Sequence, residues 1–198
     1  MDSFNDLASP ASLLATRRSG KARDMVAPGP DAVQLRTILG TAMRVPDHGK
    51  LAPWRFVTVA DDQRAAFADA LEAAYVAEKP HAARLEREAM RGFALQAPCL
   101  VIVLSRPTSE SHIPLWEQQL AAGAATTMLC VAAHAEGFVA NWLTGWAAYS
   151  PAVHALVAEP GECIAGFVFI GTASRPLDER PRPDFDTVVR AWRPLNER

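Results

Sequence analysis

Four cations and a serine fall within eight residues in the stretch TRRSGKAR (16–23), which sets Arg17, Arg18, Lys21 and Arg23 around Ser19. Guanidinium forks and a hydroxyl at this spacing can close on a phosphate, because charge-assisted bonds are strong and an arginine fork matches phosphate oxygens in pairs. For the motif in isolation the plainer reading carries more weight: a solvated basic patch favoured by the negative end of a helix dipole. A second stretch, RVPDHGKLAPWRF (44–56), crowds Arg44, Pro46, Asp47, His48 and Gly49 into one connection. Asp47 and His48 can act there as an acid–base pair, or they can simply build an Asx-type turn. Trp54 after Pro53 reads equally well as core.

Other chemical signals are weaker. SGKA resembles the end of a phosphate-binding P-loop, but Ala22 replaces the Ser/Thr and Ala15 stands where the first glycine belongs. No G-x-G-x-x-G fingerprint and no G-x-S-x-G elbow occurs. His134 and Glu136 mimic the H-x-E of zinc deaminases, yet no P-C-x-x-C follows, so a helix-end histidine is the better reading and no metal is expected. Cys130 lies in an apolar helical pattern, where a thiol is normally inert.

The elements that must position these residues follow from patterning. Ser9-Pro10 opens a short helix to about Arg18, and ARDMVAPGP then reads as loop. Asp31 starts a second helix with Leu35, Ile38, Leu39 and Ala42 on one face, ending near Arg44 because Pro46 restrains Val45. RFVTVA (55–60) is a strand, followed by an Ala-rich helix with Phe67, Leu71 and Tyr75 inward and a further helix over His81 to Leu95. PCLVIVLSR (98–106) has the continuous apolar run of a strand covered on both faces. Trp116 to Glu136 forms a long helix, apolar nearly all round beyond Leu120, closed by Gly137 as a C-cap. A helix without a wet face is buried on all sides, here in part by a partner subunit. FVANWLTG (138–145) and CIAGFVFIGTAS (163–174) supply the remaining strands. Residues 175–198 are Pro-rich and charged, with only Val188, Val189 and Trp192 as an apolar patch.

At 198 residues, 49% hydrophobic and 21% charged, the chain has globular composition and the length of one domain over 1–198, with 175–198 as a C-terminal extension. A net charge of −2 provides no global field for nucleic acid. No apolar stretch is long enough to span a membrane, and the N-terminus has acids before its apolar run and arginines after it, opposite to a secretory signal. Three cysteines, all in apolar runs, read as buried reduced thiols. The expectation is a cytoplasmic protein with neither nucleic-acid nor membrane partners.

Together these pieces resemble the FMN-dependent nitroreductase family, in particular its compact YdjA-type NAD(P)H nitroreductase branch. The likeness is carried by RRS (17–19), RVPDHGKLAPWRF (44–56), WEQQLAAGAATTMLCVAAHAEGF (116–138), NWLTG (141–145) and GFVFIGT (166–172), in order over nearly the whole chain. It implies an α+β fold, a mainly antiparallel central sheet flanked by helices, in an intertwined homodimer with two FMN molecules at the subunit interface. By position, Arg17, Arg18 and Ser19 would hold the FMN phosphate and ribityl chain. Lys21 would stand near the electron-rich edge of the flavin, a place Arg23 could also reach. Arg44 and His48, with Pro46 and Asp47 beside them, would reach the flavin of the other subunit, and Trp142, Leu143 and Thr144 would line the cofactor. Family members also use C-terminal basic residues for the phosphate, for which Arg190 and Arg193 are available.

The implied activity is ping-pong hydride transfer from NADH or NADPH through FMN to a small-molecule acceptor, a nitroaromatic, a quinone or a similar compound. The cofactor carries the chemistry, so no catalytic side chain is required. Three alternatives stand beside it: a non-catalytic flavin carrier or sensor, a flavin-dependent dehydrogenase or dehalogenase of the same fold, and a non-redox enzyme using Asp47 and His48.

Overall fold

The computed structural model describes residues 4–194. Helix α1 (Pro10–Thr16) begins where Ser9 Oγ accepts a hydrogen bond from the Ser12 amide at 3.0 Å, with Pro10 at the first helical position. Helix α2 (Ala32–Ala42) opens on a full capping box: Asp31 Oδ1 accepts from the Val33 and Gln34 amides, and Gln34 Oε1 accepts from the Asp31 amide. The chain continues through β2 (Trp54–Val59), α3 (Asp61–Glu78), α4 (Arg84–Ala94), β3 (Cys99–Ser105), α5 (Leu115–Ala135), β4 (Val139–Leu143), α6 (Pro151–Val157), β5 (Cys163–Ala173) and α7 (Phe185–Val188). A two-residue β1 (Met25–Val26) lies between α1 and α2.

All pairings in the sheet are antiparallel, and β5 is its central strand. Strand β3 runs along one edge of β5 and β4 along the other; β2 pairs with β3, and β1 with the end of β5. Because side chains alternate along a strand, β3 feeds two cores. Leu100, Ile102 and Leu104 pack with Leu71, Phe167 and Phe169 under α3, α4 and α6. Val101 and Val103 pack with Ile38, Leu129, Val168 and Ile170 under α2 and α5. This two-faced burial is what the uninterrupted apolar run of β3 required.

The architecture is the α+β arrangement expected, with differences at particular places. Helix α1 stops at Thr16, which frees Arg17 and Arg18 from helical geometry. The stretch expected as loop holds a 3₁₀ turn (Ala22–Asp24) and β1, because the Asp24 carbonyl accepts from both the amide and the hydroxyl of Ser174 and zips this segment to the end of β5. Helix α6 was not anticipated, although Ser150-Pro151 repeats the Ser-Pro signal of α1; Ser150 Oγ accepts from the Val153 amide. Of the cysteines expected to be buried, Cys130 is, Cys99 is half-buried and Cys163, first residue of β5, is exposed. Burial pushes the Cys99 thiol up to about 11 and the Cys130 thiol up to about 12, so both stay protonated and inert near neutrality. Within one chain α5 is buried on the face turned to the sheet, while Trp116, Leu120 and Thr127 are exposed on the other, the side for which a partner subunit was expected. Among the described residues no helix is long and apolar enough to cross a membrane.

Candidate active site

The loop after α1 is pinned from three sides. Asn5 bonds the Arg18 backbone twice, accepting from its amide at 2.8 Å and donating to its carbonyl at 3.1 Å. The Ala22 amide donates to Asn141 Oδ1 on β4. Gly20 is pressed against Met25 and Val139 so closely that a Cβ there would come within 3.2 Å of both. This fixed loop presents Arg17 and Ser19 together, with Arg17 Nη1 within 3.4 Å of Ser19 Oγ. Arg17 also lies near the C-terminal end of α5, where its charge bears on Cys130 and His134.

Arg18 and Lys21 point elsewhere. Arg18 is 5% exposed, and its Nε donates to the Asp178 carbonyl at 2.6 Å with the Glu179 carboxylate 3.5 Å away. Burial lowers its pKa first, and Arg180 adds to this, but an arginine remains charged. Lys21 Nζ donates to Asp178 Oδ2 at 2.8 Å, and that bond holds the Asp178 carboxyl below its ordinary range. Arg175 pairs with Asp24 at 2.5 Å. The first part of the C-terminal extension therefore lies across the loop and closes a narrow cleft between Arg18, Lys21, Arg175 and Arg180. The tail cations at this cleft are Arg175 and Arg180, not Arg190 or Arg193. Of the two readings the tail allows from sequence, dangling or lying across another surface, the second holds for this part; the contacting residues were not anticipated, and the signal was LDER (177–180), whose acids face the basic RRS segment.

The second cluster is built on strain. In the turn after α2 the φ angles of Gly49, Lys50 and Ala52 are 76°, 57° and 47°, so three of four consecutive residues are left-handed. Asp47 holds this turn together: its Oδ2 accepts from the Ala52 amide at 2.8 Å and its carbonyl from the Lys50 amide. Gly49 is needed twice over, for its φ and because a Cβ would overlap the Ile113 side chain. His48 Nδ1 lies 2.7 Å from Glu117 Oε2 in the first turn of α5, a partner not anticipated from sequence. Arg44 and Pro46 are exposed beside it.

The third segment is the end of β4. The Trp142 side chain is 38% exposed and its Nε1 donates to the Ala165 carbonyl at 3.0 Å; Leu143 and Thr144 follow, half-buried, before Gly145 turns the chain with φ 69°. Asn141 links this strand to the Arg17–Lys21 loop, so those two segments adjoin.

The structure thus holds the Arg17–Lys21 loop against β4 through Ala22 and Asn141, with the Arg18 and Lys21 side chains turned to the tail, but it does not bring Arg44, Pro46, Asp47 and His48 to that loop within one chain. Arg17 sits by His134 and His48 by Glu117, at opposite ends of α5, and 17 helical residues span about 25 Å. The cleft beside Lys21 has a free volume of about 20 Å³, far below the several hundred Å³ of a small-molecule site. An adjoining groove of about 650 Å³ between Leu7, Phe138 and Leu177 is wide but apolar; its cation, Arg175, is already paired with Asp24. Among the described residues no three His, Cys, Asp or Glu side chains gather as metal ligands.

Comparison with known proteins gives one answer. The family model described as "Nitroreductase family" matches residues 14–172. Two curated relatives have names that carry the words NAD(P)H nitroreductase. YdjA of Escherichia coli (strain K12) is 32% identical over 161 residues, covering 81% of this chain and 86% of that protein. A Haemophilus influenzae protein is 34% identical over 173 residues, covering 86% and 91%. Among solved structures, a nitroreductase-like family protein from Bacillus cereus superposes with a TM-score of 0.78 at 19% identity, covering 93% of this chain and 96% of that one. The FMN and NADPH-dependent nitroreductase NfnB from Sphigopyxis sp. strain HMH superposes with a TM-score of 0.71 at 22% identity, covering 94% and 100%. At those identities the structures speak for the fold, and the sequence relatives and family model for kinship. This chain belongs to the nitroreductase family.

Proposed function

We propose that this protein is an FMN-dependent NAD(P)H oxidoreductase, a single FMN-binding domain acting as a homodimer whose two flavins each sit between protomers. The observation that carries this reading is the separation of the two clusters along α5, the Arg17 loop at one end and the His48 turn at the other, each fixed by its own hydrogen bonds. A second copy laid against α5 would bring the His48 end of one protomer to the Arg17 end of the other. The relatives' names supply the donor class, and the FMN and NADPH dependence stated for NfnB supports the cofactor.

The residues present fit such a group. Arg17 and Ser19 are held side by side and offer charged and neutral donors to a phosphate. Arg18 anchors the tail that closes the cradle, and Lys21 places a cation at its rim. Trp142, Leu143 and Thr144 follow Asn141, whose side chain accepts from the Ala22 amide of this loop, and would flank the ring system. Arg44 and His48, with Pro46 and Asp47 shaping their turn, would reach across to the partner's site; Glu117 orients the His48 ring. Bound FMN would supply hydride-transfer chemistry between NADH or NADPH and the acceptor. The protein binds, orients and shields, and no side chain need carry a proton. A ping-pong order follows from one shared pocket, with nitroaromatics, quinones or similar compounds as acceptors.

The non-redox reading had Asp47 and His48 acting as a pair, but each is bonded to a different partner: an Asp47 carboxylate oxygen accepts from the Ala52 amide, and His48 Nδ1 lies against Glu117. The deciding experiment is an absorption spectrum of purified protein with and without added FMN, followed by NAD(P)H oxidation with a quinone. A flavin spectrum with turnover supports the proposal. Flavin without turnover identifies a carrier or sensor, turnover only with a dehydrogenase or dehalogenase substrate identifies the sister activities, and protein that takes up no flavin refutes the reading.

A further inference from the structure

We propose that Gly166 is a positioning residue for the flavin site, its missing side chain fixing the Trp142 indole in place. This rests on the reading above that Trp142 lines the cofactor. Strand β5 carries a register shift against β3: Val103 faces Gly166 while Leu104 faces Ile164, so Ala165 has no partner residue across the ladder. The carbonyl of this bulged residue accepts the Trp142 indole N–H at 3.0 Å. On the other edge of β5, Trp142 pairs with Val168, which makes Gly166 its diagonal neighbour, within reach of a large aromatic side chain.

Gly166 is buried, and nothing in its φ demands glycine. Space does. A Cβ there would overlap Trp142 Nε1 and Cδ1 and come within 3.0 Å of the Leu143 carbonyl oxygen. The indole therefore lies across the backbone at Gly166, its one polar atom satisfied by the bulge and its remaining surface partly open to solvent at 38%. Bulge and glycine act as a pair: one supplies an acceptor the ladder does not use, the other the room to reach it. An indole so fixed enters the site already oriented, and a ligand packing against it spends no free energy on ordering a rotamer.

The test uses full-length protein labelled with 5-fluorotryptophan and read by ¹⁹F NMR, the Trp142 resonance being assigned by its loss in Trp142→Phe. Gly166→Ala is expected to move that resonance and leave the core Trp54 resonance unchanged, and to weaken FMN binding about tenfold, within the range shown by contacting residues in double-mutant cycles. In a Trp142→Ala background the same substitution should cost much less, because its principal clash is gone. If Gly166→Ala alone does not fold, the Gly166→Ala/Trp142→Ala double variant should; failure of that rescue overturns the proposal. So does an unmoved Trp142 resonance, or an equal loss of FMN affinity in both backgrounds. If the resonance moves while neither Gly166→Ala nor Trp142→Ala alters FMN affinity, the indole is positioned but does not line the cofactor. The placement of Trp142 at the site then falls, and the functional role of Gly166 with it.

Discussion

Arg17 and His134 show how one charge and one buried ring work at the same end of α5. Arg17 is not clamped to the tail as Arg18 and Lys21 are, and its guanidinium lies beside the Ser19 hydroxyl, so it is the strongest candidate for a phosphate. Arg17→Ala should weaken FMN binding by about 1.5–3 kcal/mol, the worth of a charge-assisted hydrogen bond, with little effect on folding. A flavin-fluorescence titration measures this, and unchanged affinity would remove Arg17 from the site. His134 is fully buried, its Nε2 accepts from the Ala140 amide at 3.2 Å, and its Nδ1 has no partner among the described residues. Burial, then the Arg17 charge, depress its pKa to about 4. The unfolded chain takes up this proton near 6.5 and the folded chain only near 4, so unfolding binds a proton in between. Stability should be full above about pH 6.5, fall as pH drops through that window, and level off below about 4. Between pH 7 and pH 5 the loss from this group is of order 2 kcal/mol. His134→Gln keeps an acceptor for Ala140 but does not titrate, so the gap between urea midpoints at the two pH values should narrow; an unchanged gap would assign the pH dependence to other groups.

At the scale of elements, α5 carries the arrangement. Its inner face, Ala121, Ala122, Ala125 and Leu129, packs into the sheet layer. Its outer face runs from Trp116 (67% exposed) and Leu120 (53%) through Ala124, Thr127 and Val131, at the three- and four-residue spacing of a single stripe. A helix facing water shows polar residues there, and this stripe has one threonine, so it is the face on which the proposed partner subunit would lie. Leu120→Arg should turn the protein monomeric in sedimentation velocity and abolish stable FMN binding, while its far-ultraviolet circular dichroism stays unchanged because the position is outside both cores. A flavin-loaded dimer of Leu120→Arg would move the interface elsewhere.

For the whole molecule, the distance between the two half-sites becomes a prediction about subunits. If His48 serves the partner's flavin, mixing His48→Ala chains with Arg17→Ala chains gives heterodimers with one intact site and one doubly damaged site. If both residues serve the flavin of their own chain, each site in the mixture carries a single defect. FMN occupancy and NAD(P)H-dependent quinone reduction should therefore rise above both parents once heterodimers form. Heterodimers performing at the average of the parents would leave His48 as an ordinary turn residue.

The sequence by itself determined what rests on local chemistry. Capping residues placed the starts of α1 and α2, the apolar run of β3 predicted a strand buried on both faces, and the crowding of Arg44 to Phe56 marked a turn with special demands. Asp47 and Gly49 meet those demands through bonds and dihedrals within a few residues, so residue type alone could report them. Only the tertiary structure decided which distant partners each charge would meet. Nothing near Arg18 in sequence says that its guanidinium is spent on Asp178, 160 residues away, or that His48 meets Glu117. The same holds for Trp142 and Gly166, whose contact depends on an antiparallel register and on one unpaired residue in β5. Ion pairs and bulges of this kind are fixed by strand order and chain path, which patterning predicts as a class but not as a register. The exposure of one face of α5 is likewise a property of the packed chain, and it turns a helix apolar nearly all round beyond Leu120 from a core element into the candidate surface of a dimer.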